Sequence, residues 1–320
     1  MLKHRLIFGT IMVIVLALVL SLDEMLDNIV LTGFWQDLFL GREYLPSGLL
    51  LLLLMLTLIA LTSRELCAIF KAEGIQIDVK TVTIASATAC VMIYALPYHL
   101  SAPTTVAAMT TLTAAVFMVS LVKYSRKGRV QGAVMVGAAA MFAMVYLGFM
   151  PSFYLAIRRW HSAWLVAGII FVCKSCDIGA YFTGRAIGRH KLIPWLSPGK
   201  TWEGLLGGIV VSSLVAVGLA MLGMHYNVLG QYSRYPDPRA LHTFNVPLWL
   251  YACAGGLIGA IGQLGDLTAS LFKRDAGIKD SGASIPGFGG FIDVFDSPNL
   301  VAPFAYWMLT LAMVYSEQAP

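Results

Sequence analysis

The sequence predicts an all-α, polytopic integral membrane protein. Three observations carry that expectation. Of 320 residues, 58% are hydrophobic and only 12% are charged, whereas an ordinary soluble domain is about 45–50% apolar and about 25% charged. Mean hydropathy is +0.76. Apolar runs of the roughly 20 residues needed to cross a bilayer recur along the whole chain. So little polar surface could not cover a soluble body of this size. The formal net charge of +5 is therefore read by its placement, because cytoplasmic loops of membrane proteins collect Lys and Arg. It does not point to nucleic acid.

Taken in order, the apolar runs give about nine spans, at 5–22, 46–61, 82–98, 104–122, 130–153, 163–183, 204–224, 247–264 and 300–315. The opening "MLKHRLIFGTIMVIVLALVLSLDEM" is similar to a signal peptide. Its apolar core is longer than the roughly 7–15 residues of a cleaved signal, and no A-x-A site follows, so an uncleaved first helix is expected. With the N-terminus cytoplasmic, sixteen of the 22 basic residues fall in inside loops. Five, namely Arg42, Arg158, Arg159, Arg234 and Arg239, fall outside, and Lys174 lies within a span. That asymmetry places the N-terminus in the cytoplasm and the C-terminus outside. Arg158 and Arg159 fit worst and are expected to snorkel to the interface. Residues 1–160 read as a transmembrane scaffold. Residues 161–320 read as a catalytic half with two cytoplasmic loops, 184–203 and 265–298.

Chemistry-bearing residues concentrate in that second half. Cys173 and Cys176 form a CxxC, but a structural zinc site needs four ligands and no second pair exists, so small-residue packing is expected. Lys174 and Asp177 are three apart within a span and share a helix face. Ionisable groups there are costly and usually functional, with a self-neutralising packing pair as the plainer account. The loop that follows is basic, with Arg185, Arg189, His190, Lys191 and Lys200. Its "PGKT" looks like a Walker A loop and fails the test, since the first glycine would fall at Pro194 and no strand is expected before it.

The stretch "SLFKRDAGIKDSGASIPGFGGFIDVFDS" holds the densest charge. Asp293 and Asp296 are three apart at the start of the last span, so on a helix both carboxylates face one way. With Asp266 or Asp280 nearby they make an oxygen-rich seat for a hard divalent ion such as magnesium, a second metal ion being allowed. Lys273, Arg274 and Lys279 lie between them and suit the oxygens of a metal-bound polyphosphate. Gly277, Gly282, Gly287, Gly289 and Gly290, with Pro286, let the backbone turn tightly and approach an anion. Gly255, Gly259 and Gly262 allow close helix packing just upstream. An ordinary solvated loop would account for the bases but not for five aspartates in one segment (266, 275, 280, 293 and 296).

This stretch resembles the signature of the phosphatidate cytidylyltransferase (CDP-diacylglycerol synthase) family. Ser270, Lys273, Arg274, Lys279, Asp280, Gly282, Ile285, Pro286, Gly289, Gly290, Phe291, Asp293 and Asp296 match it at the family's spacing. Upstream, Ser197, Pro198, Lys200, Thr201, Glu203 and Gly204 resemble the family's S-P-K-K-T-x-E-G segment. Phe288 stands where the signature has His, and Val294 where it has Arg.

The resemblance implies transfer of a cytidylyl group from CTP to phosphatidic acid, giving CDP-diacylglycerol and pyrophosphate, in a multi-pass protein of the inner membrane. The expected metal ligands are Asp266, Asp293 and Asp296, and the expected catalytic residues Ser270, Lys273, Arg274, Lys279 and Asp280. Substrate contacts are expected from Asp177, Arg189, Ser197, Lys200 and Thr201. Expected partners are CTP, phosphatidic acid and membrane lipids, with a homodimer allowed and no nucleic acid. The acyl chains would enter by a lateral groove between the last spans. Two other readings stand beside it. One is an ion-coupled secondary transporter, which Lys174, Asp177 and the glycine-interrupted spans would suit. The other is a non-catalytic lipid-binding member of the family.

Overall fold

The computed structural model describes residues 2–39, 41, 43–95, 101–126, 128, 130–226, 229–233, 240–243 and 246–318. Arg42, Lys127, Arg129, Arg234 and Arg239, counted in the charge asymmetry, lie outside the described residues. So does Tyr98 at the expected end of the third span. Among the described residues every expected span is a helix. They are α1 (Leu2–Leu26), α3 (Leu49–Ala72), α4 (Val79–Ala95), α5 (Ala102–Ser125), α6 (Ala133–Met144) running through a π-helical turn (Val145–Phe149) into α7 (Met150–Trp160), α8 (Ala163–Ile187), α9 (Trp202–His225), α10 (Leu248–Asp275) and α11 (Phe291–Gln318). A five-residue helix, α2 (Phe34–Leu38), lies between α1 and α3. Among the described residues seven stretches are long and apolar enough to cross a membrane. At 17 residues α4 is shorter, and α11 carries Pro298 and Pro303 within it. The chain is an all-α multi-pass membrane protein.

The helices outrun the apolar runs that predicted them. α10 continues past Asp266 and Lys273 to Asp275, and α11 starts at Phe291, so the expected loop 265–298 contracts to 276–290. Charges end an apolar run, but they do not end a helix when each side chain finds a partner across the groove. The other expected loop is also ordered. Residues 191–201 form an antiparallel hairpin of β1 (Lys191–Ile193) and β2 (Ser197–Thr201), with Lys191 opposite Thr201. A second hairpin pairs β3 (Gly230–Ser233) with β4 (Ala240–Thr243). The segment around Lys200 is thus a strand leading into a helix, but in a two-stranded hairpin rather than the parallel sheet a P-loop needs.

Glycine spacing sets how closely the second half packs. A Cβ on Gly255 would strike Ala216 and Ser212 of α9, and one on Gly259 would strike Ser212 and the Cys176 thiol of α8. Gly262 leaves room for Cys173 Sγ, and Gly265 for the Asp296 carbonyl of α11. The CxxC thiols therefore fill the gaps opposite glycines, as small packing residues, and all five cysteines are free.

At the other end of the bundle Arg158 and Arg159 do not snorkel. They are 1% and 7% exposed. Arg158 Nε donates to Asp23 Oδ2 at 2.7 Å and Nη2 to Asp27 Oδ2 at 2.8 Å. Asp23 Oδ1 in turn accepts from Leu50 N at 2.9 Å, at the N-terminus of α3. Arg159 Nη2 donates to the last carbonyls of α4, Ile93 O at 2.7 Å and Tyr94 O at 2.5 Å. Glu24 accepts from Ala163 N at 2.5 Å, where α8 begins. These side chains satisfy the groups that helix termini leave unpaired where no water reaches them. They also gather the ends of α1, α4 and α7 and the starts of α3 and α8 at one end of the bundle.

Replacing Arg158 with Met should take the cation away from two buried carboxylates, Asp23 and Asp27. Breaking such a pair from one side costs about 3–5 kcal/mol. Thermal unfolding in detergent should show a large loss of stability for Arg158→Met and a small one for an exposed control, Lys71→Met. Equal transitions would show that the cluster contributes nothing.

Candidate active site

The charged side chains of the second half meet where the middle of α8, β2, the second half of α10 and the start of α11 converge. Asp266, Ser270 and Lys273 fall along one face of α10, at spacings of four and then three. α11 runs antiparallel beside it and presents Asp296 and Asp293 at a spacing of three, so each helix offers two charges to the other. Lys273 Nζ contacts Asp293 Oδ1 at 2.6 Å, with both side chains about nine-tenths buried. One level along, Asp266 and Asp296 face each other.

The hairpin delivers the next cation. Thr201 caps α9, its Oγ1 accepting from Gly204 N at 3.1 Å. Glu203 holds the hairpin's other strand, accepting from the backbone N of Arg189 at 3.1 Å and of His190 at 3.2 Å. That geometry brings Lys200 Nζ to 2.7 Å from Asp266 Oδ2. From α8, Lys174 Nζ lies 3.5 Å from Asp177 Oδ2 and 3.9 Å from Asp296 Oδ1. Asp177 Oδ1 accepts from Gln263 Nε2 of α10 at 2.6 Å. The Lys174–Asp177 pair expected on one face of α8 is present, and Asp296 extends it to a third helix.

The acids differ in what is left for a ligand. Asp293 Oδ2 accepts from Ser281 N at 2.9 Å, Ser281 Oγ at 3.0 Å and Gly290 N at 2.9 Å, and Oδ1 is taken by Lys273. A carboxylate has about four lone-pair sites, so Asp293 is saturated by protein donors. The bond from Gly290 N is half of a capping box, since Asp293 is the third residue of α11. Asp296 Oδ1 accepts from Ser297 N at 2.6 Å, and its cation, Lys174, is distant. Ser297 Oγ also donates to that oxygen at 3.1 Å, and Asp266 is held by Lys200, which leaves Asp296 Oδ2 and Asp266 Oδ1 as the hard-oxygen donors that would fit a divalent ion. Among the described residues no group of three or more His, Cys, Asp or Glu side chains is gathered around one point.

Other expected residues lie at the rim. Arg274, Lys279 and Asp280 are exposed, and Arg274 Nη1 donates to Ile278 O at 3.4 Å. Arg189 is exposed on the hairpin, while Ser197 and Ser270 are half-buried. Phe288, which replaces the signature His, packs toward Gly9 of α1. Val294 is half-buried on α11.

One residue was missed entirely. Glu65 on α3 is buried and accepts from Ser284 Oγ at 2.8 Å, Phe291 N at 3.0 Å, Ile292 N at 3.0 Å and Ser281 Oγ at 3.2 Å. Its only signal in the sequence is an acid beside an apolar span, in "TSRELCAIF".

Beneath the charged cluster a cavity of about 1090 Å³ opens between α1, α8, α9, α10 and α11. Val13, Trp164, Leu219, Leu257 and Met308 are among its apolar walls, and Lys174 is the one charged side chain lining it among the described residues. This is the lateral groove expected between the last spans, with α1 added as a wall.

The family model described as "Cytidylyltransferase family" matches residues 3–312. A phosphatidate cytidylyltransferase of Haemophilus influenzae is 37% identical over 145 residues, 45% of each chain. One of Bacillus subtilis is 36% identical over 172 residues, 53% of this chain and 56% of the relative. One of Staphylococcus aureus is 34% identical over 212 residues, 66% of this chain and 73% of the relative. The matched region spans about half the length of the first two. The chain belongs to the cytidylyltransferase family.

The register of the site depends on how closely α10 and α11 approach. A Cβ on Gly265 would sit 2.7 Å from the Asp296 carbonyl, and overpacking of that kind costs about 1–3 kcal/mol. Gly265→Ala should lower thermal stability by that order, whereas Gly218→Ala, where a Cβ meets nothing within 4 Å, should not. Identical melting of the two variants would refute the close approach.

Proposed function

We propose that this member of the cytidylyltransferase family joins CTP to phosphatidic acid, releasing pyrophosphate and forming CDP-diacylglycerol. One observation carries the reading: the paired cations and carboxylates border, at Lys174, an apolar cavity of about 1090 Å³ walled by α1, α8, α9, α10 and α11. A lipid with an anionic head has both halves of its chemistry answered there. Lys174 and Asp177, midway along α8, would also suit a transporter, but Lys200, Lys273 and Asp293 lie toward one end of the bundle rather than at its midplane.

The phosphate of phosphatidic acid is the nucleophile. A phosphomonoester has a second pKa near ~6 and is largely ionised at neutral pH, so no general base is needed. Its oxygen attacks the α-phosphorus of CTP and the α–β anhydride bond breaks, the electron pair leaving with pyrophosphate. The obstacle is bringing two polyanions together, and positive charge fixed in advance overcomes it. Lys174, at the mouth of the cavity, meets the lipid phosphate. Lys200, Lys273, Arg274 and Lys279 meet the nucleotide phosphates, with Thr201, Arg189, Ser197 and Ser270 at the edge. Asp266 and Asp296 are the residues that would hold magnesium, which when bound supplies charge to the phosphate oxygens and the departing pyrophosphate. Asp293, with its oxygens occupied, holds Lys273 in place.

We place the protein in the cytoplasmic membrane with nine crossings, the N-terminus inside and the C-terminus outside. Two features support this. Basic residues favour the inner loops, and helix ends sort into an Arg158 end and a Lys200 end as alternation requires.

Purified protein with CTP, phosphatidic acid and magnesium should release pyrophosphate, and other phospholipid acceptors should give little. Asp293→Asn and Asp296→Asn should each lower turnover by on the order of 10²-fold. Only Asp296→Asn should raise the magnesium concentration needed for half-maximal rate. An equal shift in both variants would return Asp293 to the metal, and no product with any acceptor would end the enzymatic reading.

For the topology, single cysteines go at exposed positions. One at Ala283 should react only with reagents admitted to the cytoplasm, and one at Phe34 only with impermeant reagents outside. Reaction of both from one side would overturn the arrangement.

A further inference from the structure

We infer that Glu65 is a positioning residue for the reaction, setting the 281–292 segment and, through it, the Lys273 ammonium. The inference rests on the proposed reaction and assigns a role to the half of the chain that read as scaffold.

Glu65 and Ser281 are 216 positions apart, so the contact is made by the fold alone. All four donors to Glu65 belong to the loop before α11 or to the first turn of that helix. Phe291 N and Ile292 N are two of the amides a helix N-terminus leaves unpaired, and a carboxylate is the favoured partner there. The Ser281 hydroxyl lies within reach of both Glu65 Oε2, at 3.2 Å, and Asp293 Oδ2, at 3.0 Å. A continuous path therefore runs from Glu65 to Ser281, to Asp293, to Lys273.

The glycines nearby are explained by the same carboxylate. A Cβ on Gly290 would collide with the Ser281 hydroxyl and with Glu65, and one on Gly282 would lie 3.1 Å from Glu65 Oε1. Neither glycine adopts a positive φ, unlike Gly277, Gly287 and Gly289. Space for Glu65, rather than backbone freedom, is what those two positions require. A carboxylate placed this way fixes where α11 begins, and hence where Asp293 holds Lys273.

The test uses full-length protein with Glu65→Gln, Glu65→Ala and Ser281→Ala. Gln keeps the volume but turns an NH2 toward amide or hydroxyl donors. Hydrogen exchange of the 281–292 amides should speed up in both Glu65 variants, a readout that needs no turnover. With radiolabelled CTP, kcat per folded molecule should fall on the order of 10²-fold for Glu65→Ala, the scale of a 1 Å misplacement. KM for CTP should move much less.

In a Lys273→Ala background the same substitution should add less than about twofold, because residues acting through one another are not additive. A full further loss in that background, or unchanged exchange, would overturn the inference. Should Glu65→Ala not fold, Ser281→Ala removes only the hydroxyl between the two carboxylates. It should lower kcat about tenfold, again with no further loss when Lys273 is absent, and a normal kcat would count against the path. Absence of any CTP-dependent product in the wild type would end the reaction proposal, while the exchange result would still decide the clamp.

Discussion

Charge without water is the constraint on which this structure turns. An ion moved into a medium of low dielectric must be paired or hydrogen-bonded, or it is expelled. The chain has few charges, and those buried in the bundle are arranged in two clusters, one at each end. At one end Arg158 joins Asp23 and Asp27, while Glu24 and Arg159 satisfy helix termini. That cluster is closed, with its members bound to each other or to backbone. The other end is built from the same elements but stays open: Asp266 and Asp296 face each other, and Lys174 sits 3.9 Å from its more distant partner. The first cluster holds helices together, and the second has valence to spare.

The gradation within the open cluster matters for its chemistry. Lys273 and Asp293 are about nine-tenths buried and in contact, so desolvation makes their attraction strong and their position fixed. Lys200 and Asp266 are 19% and 32% exposed, and Lys174 and Asp177 are each 34% exposed. Those pairs are less enclosed by protein than Lys273 and Asp293, so packing fixes them less firmly. Such pairs can exchange a carboxylate for a phosphate oxygen at small cost. A polyphosphate would meet one cation that does not move, Lys273, and one that can be recruited from its resting partner, Lys200, while Lys174 is left for the lipid phosphate.

The helices were legible because burial against lipid demands long apolar runs, and every such run in the sequence became a helix. Their ends were not legible. The apolar run ends at Leu264, but the α10 backbone carries on to Asp275, since side-chain polarity does not interrupt backbone hydrogen bonds. The same error hid Glu65: with the second span expected to stop at 61, Glu65 read as a loop residue, whereas α3 extends to Ala72. Arg158 and Arg159 were misread for a related reason. Spacing says which side chains share a helix face, but not that acids more than 130 positions upstream lie against Arg158 or that the last carbonyls of α4 lie against Arg159. The pairing of Lys174 with Asp177 lies within one helix and could be read, whereas Lys200 with Asp266 needed the hairpin to turn Lys200 back over α10. The π-helical turn at Val145–Phe149 left no trace in the apolar pattern, although it frees the Tyr146 carbonyl to accept from Asn299 Nδ2 at 2.8 Å.

Small residues and charged residues solve one problem together. Where α10 meets α8, α9 and α11, Gly255, Gly259, Gly262 and Gly265 let the helices approach until backbone meets side chain. Attraction between helices in lipid comes from packing and polar contacts rather than from apolar burial. Close approach on that face fixes the spacing of the charges it carries. On the other side α10 draws away from α1 and the far part of α11, and the cavity opens. The same helix is thus a rigid support for ions on one face and a wall of the apolar cavity on the other, and Lys174 stands where the two environments meet. A lipid lying in that cavity would have its phosphate held at the boundary by geometry. The distance from the lipid head to the nucleotide phosphates would then follow from helix packing, and the loop would only have to supply charge.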